Sequence, residues 1–163
     1  MRRLSLAIAV TLSAAALATT TLAIAGETPA PDNAKAYFIN LKDGDTVTSP
    51  VLIRFGLSGM GIAPAGTEAP NTGHHHLLID APALDGDALN EAIPVDQQHV
   101  HFGKGQTEAS VKLAPGKHTL QLVLGDWSHI PHKAPVMSDR ITVTVEGDET
   151  ASAKPGDTAS VKQ

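Results

Sequence analysis

Lys117-His118-Thr119-Leu120-Gln121-Leu122-Val123-Leu124 decides the fold class. In an extended chain Leu120, Leu122 and Leu124 share one face, and Thr119, Gln121 and Val123 share the other. That period of two marks a strand with one buried face. A helix would scatter the three leucines around its circumference. Working outward, the same alternation recurs. Downstream lies Asp139–Glu146 (DRITVTVE). Upstream lie Thr107–Leu113 (TEASVKL), Gln98–Phe102 (QHVHF), His74–Asp80 (HHHLLID), Val51–Leu57 (VLIRFGL) and Ala36–Leu41 (AYFINL). Turn residues separate them: Lys42-Asp43-Gly44-Asp45, Pro50, Pro82, Gly103-Lys104-Gly105 as a hairpin signal, and Pro115-Gly116. A short helix fits Asp87–Ala92. The expected fold is all-β, an immunoglobulin-like antiparallel sandwich of about seven strands. The connections Ser58–Gly73 and Ala81–Gln97 are long, and structureless loops of that length often carry function.

The ends read differently. Arg2 and Arg3 precede an uncharged apolar run, Leu4–Leu22, and Ala23-Ile24-Ala25 fits a small-x-small cleavage site. Residues 1–25 are expected to be a signal peptide; a retained anchor is the alternative, since the run almost reaches spanning length. Residues 26–35 are Pro/Ala-rich and read as a linker, 36–146 as the folded body, and 147–163 as a disordered tail. The product is expected to be periplasmic or secreted, with no membrane span after cleavage.

Composition narrows the chemistry. The 163 residues carry a net charge of −5, and loss of Arg2 and Arg3 leaves ten bases against seventeen acids. A chain this acidic lacks the basic face that nucleic acid requires. With no Cys, disulfides, thiolate metal sites and cysteine nucleophiles are excluded. An exported body of this size must then rely on its core alone. No His-Glu-x-x-His, Gly-x-Ser-x-Gly, phosphate loop or dinucleotide fingerprint occurs.

All eight histidines fall between His74 and His132. In an immunoglobulin-like topology the connections after the second, fourth and sixth strands share one end. His74–His76 open the third strand at that end, His99 and His101 close the fourth there, and His129 and His132 lie in the loop before the last strand. Met60 and Met137 map to the same rim. Alternation turns His74 and His76 to one face and His75 to the core, and pairs His99 with His101. Imidazole suits copper, zinc and nickel, and thioether adds preference for Cu(I). His118 stands apart at the opposite end and reads as structural. Met60 and Met137 also fit as gap-fillers, Trp127 as a lid or plug, and the Lys, Asp and Glu residues as solvated strand faces.

Two resemblances bear on this. His99-Val100-His101-Phe102-Gly103 resembles the copper-ligand strand of copper/zinc superoxide dismutase, although that family's Cys pair is absent and its zinc loop cannot be aligned. More extensively, Asn71-Thr72-Gly73-His74-His75-His76-Leu77-Leu78 and His101-Phe102-Gly103-Lys104-Gly105-Gln106-Thr107-Glu108, with the flanking Tyr37–Asp45 and Leu113–Leu122 segments, resemble a family of small exported bacterial domains of unknown function. Its members sometimes bear a rod-shape-determining label, a role to which nothing in these residues points. That resemblance implies the body boundaries and export, and no activity.

The expectation is a periplasmic carrier or buffer of copper first and zinc second, served by a metal donor or acceptor protein. Its candidate ligands are His74, His76, His99, His101, His129, His132, Met60 and Met137. The alternatives are an envelope module binding glycan, peptide or protein through the long loops and Trp127, and a superoxide-dismutase-like copper enzyme.

Overall fold

The apolar face of each alternating segment meets its counterpart on a second sheet. The computed structural model describes residues 28–147. Its strands are β1 (Lys35–Phe38), β2 (Thr46–Val47), β3 (Val51–Ser58), β4 (Gly61–Ile62), β5 (Thr72–Ile79), β6 (His99–His101), β7 (Glu108–Val111), β8 (Gly116–Gly125) and β9 (Ile141–Val145). One sheet has the order β1-β3-β7. The other runs β2-β9-β8-β5-β4, with β6 also paired to β5. Setting aside the two-residue strands β2 and β4, the first, second and fifth strands face the other four. This is an all-β, immunoglobulin-like sandwich in which the fourth strand has joined the larger sheet.

The core follows from period two. Ala36, Val51, Ile53 and Phe55 face Leu77, Leu120, Leu122, Leu124, Ile141, Val143 and Val145. Each fully buried Leu or Ile is worth roughly 1.5–3 kcal/mol over leaving it exposed. A second, smaller cluster of Leu78, Ala81, Ile93 and Val123 lies on the outer face of the larger sheet, with Leu84 and Met137 against it. The long connection 80–97 therefore folds back over that face. As a result β5 is buried on both sides, and Gly73 to Ile79 are all buried.

Several expectations change. β2 and β4 pair in parallel, β2 with β9 and β4 with β5, so the sandwich is not wholly antiparallel. β1 ends at Phe38 rather than Leu41. The expected helix at Asp87–Ala92 is one 3₁₀ turn, Gly86–Asn90, with no buried residue and so no apolar face to stabilise a longer helix. Gly103-Lys104-Gly105 does not close a hairpin, because β6 pairs with β5 while β7 pairs with β3. Gly105, at φ 78°, instead takes the corner between sheets. Residues 28–34, read as linker, are attached to the body. Ala30 and Ala34 pack on the core, and the Thr28 carbonyl accepts from Lys133 N–H at 2.9 Å. The expected signal peptide at 1–25 and the tail beyond Gly147 lie outside the described residues.

The loops at one end are tied together. Ala65 N–H donates to Gly103 O and Gly66 N–H to Trp127 O, at 2.9 and 2.8 Å. The connections after β3, β6 and β8 thus share one rim, as the topology requires.

Candidate metal centre

Strand geometry places the first two histidines. On β5, His74 and His76 point to the outer face in line with Leu78, while His75 points into the core beside Phe55, with ring centroids 5.3 Å apart. All three rings are fully buried. The Nε2 atoms of His74 and His76 lie 3.1 Å apart. Two nitrogens bound to one metal at 2.0–2.1 Å would be separated by about 2.9 Å in a square and about 3.3 Å in a tetrahedral arrangement. The observed spacing lies between them.

The neighbouring elements complete the group. His101 on β6 is directly opposite His76, with centroids 5.0 Å apart, and is 5.0 Å from His74. Ligand atoms of His74, His76 and His101 all lie within 4.8 Å of one another. His129 comes from the loop after β8, its ring 4.7 Å from His101, 5.0 Å from His74 and 6.0 Å from His76. Its φ of 72° is a left-handed conformation uncommon for a residue other than glycine. The loop holds it there: His129 N–H donates to Asp126 O at 3.0 Å, and Ile93 N–H donates to His129 O at 2.9 Å.

Two glycines make the space. Gly125 is paired with His74, and a Cβ there would sit 2.9 Å from His76 Nε2. A Cβ on Gly103 would collide with the His101 ring. Both positions need glycine for close approach rather than for a turn.

Three of the rings, His74, His76 and His101, resist protonation. Burial first, then the charges of His101 and His129, lower the His74 pKa to about 4, with Asp126 opposing. Burial, followed by His74, His101 and His129, takes His76 to about 2. Burial and then His129 lower His101. Neutral imidazole is the form that binds metal. Nδ1 of His74, Nδ1 of His76 and Nε2 of His101 are buried without a hydrogen-bond partner among the described residues. One N–H···N contact between His74 and His76 leaves these three unanswered.

A family model described as a domain of unknown function, DUF4399, matches residues 53–146, more than half of the chain. The chain belongs to this family. All four clustered histidines lie inside the DUF4399 span. No curated protein and no solved structure matches the chain.

Within the DUF4399 domain the expected ligands divide. His74, His76, His101 and His129 come together; His99, His132, Met60 and Met137 do not join them. His99 shares the face of His101, but its Nδ1 is 2.9 Å from Asp96 Oδ1, and its strand partner is Leu78. The strand pair in the group is therefore His74 and His76, not the His99 and His101 that carry the superoxide-dismutase resemblance. His132 is fully buried, with Nε2 3.2 Å from Thr72 O and Nδ1 3.4 Å from Leu124 O. Met60 packs on the main core and Met137 on the smaller cluster. His118, read as structural, bridges Asp80 Oδ2 at 2.7 Å and Ala114 O at 2.8 Å.

Sequence reasoning missed Asp126. It was grouped with solvated acids, yet only 3% of it is exposed. Burial raises its pKa, but hydrogen bonds from Thr28, Ile130 and Ser128 outweigh that and hold it below the usual carboxylate value. Asp-x-Ser after a strand is an Asx-turn pattern, the one local signal that pointed to it.

Proposed function

We propose that this DUF4399 domain binds a transition-metal ion, copper first and zinc second, and serves as a periplasmic carrier or buffer. The observation that carries this reading is the convergence of His74, His76, His101 and His129, with buried nitrogens on the first three that no group among the described residues answers. Buried polar atoms without partners are few in native structures and call for an explanation such as an ion. Four imidazoles suit Cu(II) and Zn(II), and Cu(II) stands above zinc in the divalent affinity order. With both methionines in apolar packing, the thioether argument for Cu(I) falls away. The test is anaerobic and aerobic titration of the purified mature protein with Zn(II), Cu(II) and Cu(I) against competing chelators. One tightly held divalent ion per chain is expected; retention of no ion after desalting sinks the reading.

A second reading has its own observation. Trp127 is 43% exposed and lines a groove of about 550 Å³ with Thr28, Pro29, Glu68 and Pro70. That suits an envelope ligand gripped by the rim. Loss of ligand capture in Trp127→Ala but not in His74→Ala/His76→Ala would favour it over the metal reading.

A further inference from the structure

Asp126 is the only buried carboxylate among the described residues, and none of them forms an ion pair with it. Its Oδ1 accepts from Ser128 N–H at 2.8 Å, Ser128 Oγ at 3.0 Å and Ile130 N–H at 3.0 Å; its Oδ2 accepts from Thr28 Oγ at 2.6 Å. Every one of these donors is neutral. The ion pairs among the described residues are Lys35–Asp139, Arg54–Glu108, His99–Asp96 and His118–Asp80, none of which involves it. Four such hydrogen bonds favour the ionised carboxylate and leave its negative charge standing without a counter-ion. An Asx turn alone does not require that charge, since neutral Asn forms the same turn.

The position of Asp126 supplies the missing partner. It follows Gly125, which is paired with His74, and its own carbonyl holds His129 N–H. Its charge reaches His74, where it opposes the effect of the neighbouring histidines. Imidazole binds metal in its neutral form, so a dication held by these ligands would carry its full +2 into a buried place. We propose that the Asp126 carboxylate is the counter-charge of the histidine cluster and makes the site favour a divalent over a monovalent cation. This rests on the metal-binding reading and adds to it which charge of ion the site takes.

The experiment compares Zn(II) with Ag(I), a monovalent stand-in for Cu(I), by chelator competition in the wild type, Asp126→Asn and Thr28→Lys. Asn keeps the acceptor for Ser128 and Ile130, and the Thr28 hydroxyl can rotate to accept from the new amide. Lys at position 28 leaves the carboxylate in place and sets an ammonium against it. Asp126→Asn is expected to weaken Zn(II) binding about 10–100-fold, the range for outer partners of a ligand set. Ag(I) should weaken only about 3–10-fold, because the energy of an ion beside a fixed charge scales with the ion's own charge. Thr28→Lys should show the same ordering, and it carries the test if Asp126→Asn does not fold. Equal losses for the two ions, or none, overturn the inference while leaving the metal reading intact. A wild type that binds neither ion overturns both.

Discussion

His101 stands directly opposite His76 in the β5–β6 pair, with ring centroids 5.0 Å apart. The two side chains share a face because paired residues in a sheet point the same way. Two strands thus present histidines to one point before any loop contributes. This predicts a hierarchy of substitutions. His76→Ala and His101→Ala should each weaken divalent-metal binding by more than the roughly 10–100-fold that an outer hydrogen-bond partner is worth. His99→Gln should leave affinity unchanged, since that ring is turned to Asp96. Chelator competition on the three variants checks this. A His99→Gln loss as large as that of His101→Ala would refute the grouping.

The same register predicts the effect of one added methyl. Gly125→Ala puts its Cβ 2.9 Å from His76 Nε2 and 3.4 Å from the His129 backbone. The ring is enclosed, so it cannot swing away without displacing its neighbours. A cost of about 1–3 kcal/mol from overpacking is expected, together with loss of metal affinity. Gly147→Ala, whose Cβ would meet Pro115 at ordinary distance, serves as the control. Thermal melts with and without metal measure both effects. An unperturbed Gly125→Ala would mean that the rings are looser than the geometry implies.

Acid should destabilise the metal-free protein. His74, His75, His76 and His101 all have folded pKa values below the ordinary 6.5. Their contribution is full above pH 6.5 and is lost as pH falls toward 4, because the unfolded chain takes up protons the folded one refuses. Each histidine that resists contributes up to about 1.4 kcal/mol per pH unit in that window. His118 works the other way. Burial opposes its protonation, but the bonds to Asp80 and Ala114 prevail and raise its pKa, so its contribution is present at low pH and is lost as pH rises through its folded pKa. Four groups outweigh one, and stability should rise from pH 4.5 to 6.5. Urea melts across that range measure the slope; a flat or inverted profile contradicts the buried, neutral cluster.

Much of this was legible because period two is local. The alternation in Lys117–Leu124 and Asp139–Glu146 found β8 and β9, and it turned His74 and His76 away from His75. Shared loops at one end followed from topology. What stayed hidden depends on contacts distant in sequence. Thr28 and Asp126 are 98 residues apart, and no pattern in either segment announces their bond. The small strands β2 and β4 are two residues each, too short to show a period. His132 and His99 looked like His129 and His101 in composition, and only the backbone carbonyls and Asp96 beside them set them apart. Gly103 was read as turn chemistry because a sequence does not show which ring will lie against it.

The last prediction concerns the histidine that the cluster leaves behind. His75 is fully buried, and neither of its ring nitrogens has a hydrogen-bond partner among the described residues. A buried donor or acceptor left unsatisfied costs about 1–3 kcal/mol, whereas an apolar group of similar size avoids that cost. Leu is close to His in volume, and the surroundings, Phe55 and Leu124 among them, are apolar. His75→Leu should therefore stabilise the metal-free protein at pH 7 by about 1–3 kcal/mol, with an unchanged urea m-value. Metal affinity should be unaltered, because the side chain faces the core and not His74 or His76. The variant should also show a shallower loss of stability in acid, since burial holds the His75 pKa near 4 and Leu has no proton to refuse. Destabilisation, or loss of metal with the fold intact, would show that His75 serves the site from behind.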